Sequence, residues 1–187
     1  MSRPFVDANY RFIAASQEVN ARIQQRQQAL ALYVTLVVSL LAALVALRPA
    51  EGRGPVPAEW LLLGFPVASV CFALLHYKAE RTITNLRRFL SELEQLDGAH
   101  ERLPSYNTHP VWATSANKAR RLHDGAAAVL VAGGNTIGLG SALHLYPGRI
   151  GEAPLSLWLA GLATLFSVAV LLASTRWSFR PGAPTGP

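Results

Sequence analysis

Four stretches of this 187-residue chain, 29–47, 60–76, 125–143 and 155–175, contain no Asp, Glu, Lys or Arg. Charged residues make up only 15% of the whole, against roughly 25% in an ordinary soluble domain. The helices of a water-soluble bundle would each keep a polar face, and these stretches keep none. Each has a length in the roughly 17–25-residue range that crosses a bilayer as a helix. The chain reads as an integral membrane protein.

Other absences narrow the reading further. Cys71 is the only cysteine, which excludes an intramolecular disulfide and suits a small lipid- or core-facing residue. A secretory signal peptide is not expected, because a long, fairly polar segment precedes the first run and no cleavage site follows it. His76, His100, His109, His123 and His144 share no metal-ligand spacing, and neither a phosphate-binding glycine loop nor a nucleophile motif is present. The acidic Glu92, Glu94 and Asp97 read as a solvated helix face. Intramembrane catalysis and proton-coupled transport both need ionisable groups at depth. The expectation is therefore a non-enzyme with no cofactor and no metal.

Charge gives the topology. Fourteen of the 17 Lys and Arg lie in the N-terminal segment, in the middle segment from Lys78 to Arg121, or in the tail at Arg176 and Arg180. Only Arg48, Arg53 and Arg149 lie in the two short connecting loops. The positive-inside rule then places both termini and the middle segment in the cytoplasm. Trp60, Tyr77, Trp158 and Trp177 stand near run ends, where interfacial aromatics belong. The net charge of +6 is accounted for by topology and requires no nucleic acid.

Neither glycine nor proline occurs from Phe5 to Leu47, so a single helix of about 65 Å is expected there. Half of it must project from the lipid. After Gly64 and Pro66 the second run meets no breaker until Gly98, so its helix also continues beyond the membrane. Ile83, Leu86, Leu90 and Leu93 recur at 3-4-3 spacing on that extension, a coiled-coil type of seam. Phe12, Val19 and Ile23 form a looser matching stripe on the first arm. Pro104 and Pro110 mark a loop, and a short helix capped by Thr114 or Ser115 is expected to lead into the third run.

The expected fold is all-α, with four transmembrane helices in two hairpins and long cytoplasmic helical extensions on the first. Residues 1–98 would hold the arm, the spans 29–47 and 60–76, and the returning helix. Residues 99–124 would form a loop and short helix, 125–175 the second hairpin, and 176–187 a disordered, Pro/Gly-rich cytoplasmic tail.

The third run contains "VLVAGGNTIGLGSAL". Gly134, Gly138 and Ala142 lie at i, i+4 and i+8, a face that lets helix backbones approach closely. Asn135 stands beside it. Two readings stay open. The face packs on the fourth run, which has a stripe of Ser156, Ala160, Ala163, Ser167 and Ser174, or Asn135, Thr136 and Ser141 line a pore. Outside the lipid, Arg81, Arg87 and Arg88, and separately Lys118, Arg120 and Arg121, flank a loop able to form a cleft. They could hold phosphate groups by charge-assisted hydrogen bonds or face anionic lipid.

A helical arm running into a membrane helix, with a second returning as "YKAERTITNLRRFLSELEQL", resembles the SLATT-like bacterial membrane effectors. The resemblance covers residues 8 to about 97, and the second hairpin departs from a two-helix pattern. The whole looks more like four-helix channel effectors such as the Hailong type. It implies a homo-oligomeric channel or pore in the bacterial inner membrane. The opening signal would be a nucleotide or oligonucleotide messenger made by a partner nucleotidyltransferase, and the outcome would be anti-phage depolarisation. The alternatives are a non-conducting scaffold subunit and a holin-like lysis protein.

Overall fold

The computed structural model describes residues 7–47, 58–147, 154–177 and 179. Arg48, Arg53, Arg149 and the tail from Arg180 onward lie outside the described residues. Among the described residues there are five helices and no strand: α1 (Ala8–Ala46), α2 (Ala58–Glu94), α3 (Ala99–Arg102), α4 (Pro110–Leu145) and α5 (Pro154–Ser174). Short 3-10 turns follow α2 and α5. Helices α1, α2, α4 and α5 are each long and apolar enough to cross a membrane, the pattern of a multi-pass membrane protein.

Helix α1 starts at Asp7, whose carboxylate accepts the Asn9 amide at 3.4 Å, and runs 39 residues without a break. At 1.5 Å per residue it is about 58 Å long, roughly twice the thickness of a hydrocarbon core. Helix α2 carries Pro66 in its interior; that ring removes one helical hydrogen bond, a loss tolerated where neighbouring helices enclose the site. Its extension stops at Glu94, and the chain reverses through Asp97 and Gly98, whose φ values of 53° and 67° are left-handed. Gly98 takes that conformation without steric cost.

One expectation fails here. The helix leading into the third run is neither short nor capped by Thr114 or Ser115. Pro110 occupies the first turn with His109 as cap, and α4 continues unbroken through Gly125 to Leu145. Proline is suited to that first position, where its missing N–H has no intrahelical acceptor to lose.

The four long helices form one bundle around α2. It packs against α1, α4 and α5, and α4 also touches α1 and α5. In its most apolar segment 44% of α2 is buried, against 11% for α1. Leu62, Phe65, Phe72 and Ala73 of α2 meet Tyr33, Val37 and Leu44 of α1 and Val131 and Ala142 of α4 in a continuous core. At the far end Tyr146 donates its hydroxyl to the Leu44 carbonyl at 2.9 Å, pinning α4 to the last turn of α1.

Helix α4 packs on α5, as one reading had it, but its glycines Gly134 and Gly138 meet other partners. A Cβ on Gly138 would stand 2.8 Å from the Phe65 ring of α2, and one on Gly134 would stand 3.4 Å from Tyr33 and Val37 of α1. Close approach therefore joins α4 to the first two helices. A larger residue at position 138 must displace an aromatic ring that is 1% exposed, and overpacking of this kind costs about 1–3 kcal/mol. Gly138→Leu should lower the melting temperature of detergent-purified protein clearly. Gly140→Leu should not, because Gly140 has open space where its Cβ would be.

Candidate functional site

Two helical faces meet where the arms leave the apolar bundle. On α2, His76, Glu80, Thr84, Arg87 and Ser91 are all buried, spaced 4-4-3-4 along one side of the helix. On α4 the buried face reads Ala113, Asn117, Arg120, Asp124, Ala127 and Val131. It runs on into the apolar segment as Asn135, Gly138 and Ala142. The same stripe is polar at one end and apolar at the other, so one helix serves both environments.

Glu80 lies at the centre with no exposed side-chain surface. Its two carboxylate oxygens meet Arg26 of α1 and Arg120 of α4. Arg120 also donates to the Glu80 carbonyl at 3.3 Å and to the Thr84 hydroxyl at 3.0 Å. A buried carboxylate is tolerated only when paired and hydrogen-bonded, and this one is paired from two sides. Just above it, His76 Nε2 lies 2.9 Å from Asp124 Oδ1, and the His123 ring centre is 5.7 Å from that of His76. Ligand atoms of His76, Glu80 and Asp124 fall within 4.8 Å of one another, a spacing a metal ion could use. Both Glu80 oxygens already face guanidinium groups, however, and a cation there would have to displace them.

Below the cluster, Glu94 was expected on a solvated face and is instead a clamp. Its carboxylate accepts the Asn107 side-chain amide at 2.9 Å and the Asn107 backbone N–H at 3.0 Å. The Thr108 N–H and hydroxyl are each 3.0 Å away as well. Glu92 and Asp97 are exposed as expected. The loop 103–109 is thereby fastened to the end of α2. Arg87 Nε also points to Asn107 Oδ1, at 3.5 Å.

Between the α1 arm, the α2 extension, the loop and the start of α4 lies a cavity of about 580 Å³. Arg26, Arg87 and Arg120 are its cations, and Phe12, Val19, Ile23, Ile83 and Leu90 supply apolar wall. Of the residues expected to zip the two arms together, Phe12, Val19, Ile23, Ile83 and Leu90 line this space, and Leu86 and Leu93 do not. Arg26 Nε, Arg87 Nη2 and Arg120 Nη1 are buried and have no hydrogen-bond acceptor among the described residues. Burial, and next the nearby charge of Arg120, hold the Arg87 guanidinium below the usual arginine range.

The six basic residues marked in the sequence thus separate. Arg87 and Arg120 line the cavity, whereas Arg81, Arg88, Lys118 and Arg121 are exposed. The third-run residues separate too. Asn135 is buried inside the bundle, donating to Ser69 Oγ at 2.6 Å and to the Val131 carbonyl at 2.8 Å. Tyr33 completes this group at 3.1 Å from Ser69. Gly134 and Gly138 face α1 and α2, Ser141 is half-buried, and Thr136 is exposed with its hydroxyl on the Ala132 carbonyl. Arg26, Glu80, Asp124 and Glu94 went unrecognised in the sequence. The 4-4-3-4 polar spacing on α2 was the available signal.

Past α5, Phe179 is buried and its carbonyl accepts from Asn117 at 2.6 Å, so the start of the expected disordered tail is held against α4. Glu80→Leu should destabilise the protein by about 3–5 kcal/mol, because two buried arginines lose their shared anion. Glu92→Leu, on the exposed side of the same helix, should change thermal stability little. Comparisons with family models, with curated proteins and with solved structures return no match for this chain.

Proposed function

We propose that the chain is an oligomeric membrane effector that forms an ion channel or pore, gated at its arm end by an anionic nucleotide or oligonucleotide messenger. The observation that carries this reading is the placement of the arginine cavity. Its walls belong to α1, α2 and α4, and each of those helices continues unbroken into the apolar bundle. A ligand that shifts the arms therefore acts on the spans themselves. Differential affinity for two arrangements of the arms is what gating requires.

Assembly is supported by small side chains left facing outward. Ala31, Thr35, Ser39 and Ala42 are exposed on α1, as is Thr136 on α4. In lipid such faces allow close helix approach between copies. Asn135 is spent on Ser69 within the protomer, so Thr136 is the better candidate for a pore or subunit contact. The positive-inside bias favours a cytoplasmic arm end, and the bacterial inner membrane is what the resemblance implies. Anti-phage defence by depolarisation rests on the resemblance to SLATT-like and Hailong-type effectors.

Planar-bilayer recording of purified protein tests the reading. Current that appears only with a nucleotide or oligonucleotide fraction supports it. Constitutive current with no ligand response replaces it with the holin-like alternative, and no current under any condition leaves a scaffold. In a Cys71→Ser background, Thr136→Cys should cross-link between copies. Cysteine at buried Ala128 should not. Equal cross-linking at both positions would remove α4 from the subunit contact.

A further inference from the structure

We propose that the Arg26–Arg87–Arg120 cavity binds one phosphate group carried on an apolar or aromatic body of about mononucleotide size, in competition with Glu80. The proposal deepens the messenger reading and rests on it only for what binding does to the membrane helices.

Charge fixes the headgroup. Three arginines and two carboxylates, Glu80 and Glu94, line or adjoin the cavity. Glu94 is saturated by donors from Asn107 and Thr108, and Glu80 serves Arg26 and Arg120 together. Among the described residues Arg87 makes no ion pair, although Glu80 and Glu94 act on its charge from nearby; its hydrogen-bond partner is the neutral Asn107. One guanidinium nitrogen on each arginine is buried without an acceptor among the described residues, and a phosphate monoester around which the side chains reorient offers terminal oxygens to accept from them. Charge-assisted bonds of this kind are the strong ones, and guanidinium geometry suits phosphate.

Shape fixes the rest of the ligand. The volume of about 580 Å³ falls within the roughly 300–1,000 Å³ that encloses a small molecule. Phe12, Val19, Ile23, Ile83 and Leu90 present apolar surface, and Tyr106 adds an aromatic ring. Several phosphates in one ligand would need more cations than the cavity holds after Glu80 is counted. Glu80 is then the resident anion. A phosphate entering between Arg26 and Arg120 takes over part of its role, and the link between α1 and α4 passes to the ligand.

Full-length protein in detergent would be titrated with inorganic phosphate, a nucleoside 5′-monophosphate and the corresponding nucleoside, followed by thermal shift and calorimetry. A parallel arm would use nanodiscs with and without phosphatidic acid, since a lipid headgroup offers the same chemistry from the membrane side. The monophosphate should stabilise the protein, and the nucleoside should not. Arg87→Gln should weaken binding at least tenfold, while Arg88→Gln, on the exposed side, should leave it unchanged. Glu80→Gln should bind tighter than wild type; should it fail to fold, rescue of its melting temperature by phosphate reads the same competition. Arg87-dependent stabilisation by phosphatidic acid alone would keep the phosphate site and assign its source to lipid. No stabilisation by any phosphate compound, or stabilisation that survives Arg87→Gln, overturns the proposal. Binding without any effect on bilayer current would instead overturn the gating reading and leave this one standing.

Discussion

A carboxylate with no exposed surface has to be neutralised where it sits, and Glu80 is neutralised by arginines from two other helices. That requirement organises the arm end. Arg26 is drawn in from α1 and Arg120 from α4, so three helices that share an apolar core also share one charge. The alternative of solvating Glu80 would open the bundle at the edge of its apolar segment. Burial of ion pairs is weak evidence for stability as such, since apolar replacements can do as well. What the cluster provides is a fixed relation among α1, α2 and α4.

The two ends of the bundle are held differently. At the far end, contact is apolar and close, with Gly138 against Phe65 and Tyr146 on the Leu44 carbonyl. In the middle, Tyr33, Ser69 and Asn135 satisfy one another, which removes the cost of carrying an amide into an apolar setting. At the arm end, contact is ionic and leaves a cavity. Tight packing resists small displacement, whereas an ion-paired cluster beside a cavity can exchange partners.

Much of this was legible in the sequence, for physical reasons that can be named. Charge-free runs of membrane length, and the absence of helix breakers from Phe5 to Leu47, gave α1, α2 and α5 to within a few residues. Apolar periodicity identified Phe12, Val19, Ile23, Ile83 and Leu90 as inward-facing, though they surround a cavity where a dry seam was expected. Arg87 and Arg120 were marked as charges, but a helix surface shows no difference between Arg87 and Arg88 until a partner is placed beside it. Glu80 and Arg26 were overlooked because burial of a charge depends on a residue 54 positions away. Proline at a first helical turn and proline as a breaker look alike in sequence, which is why the start of α4 was misjudged.

The central claim is that Glu80 couples three arms into one unit. Hydrogen–deuterium exchange on wild-type protein and on Glu80→Gln measures it most directly, because amide protection reports local opening segment by segment. The account predicts that protection falls together in the α1 arm around Arg26, in α2 around Glu80 and in α4 around Arg120, while the apolar core around Phe65 and Val131 keeps its protection. Loss confined to α2, or no loss in any arm, would contradict it.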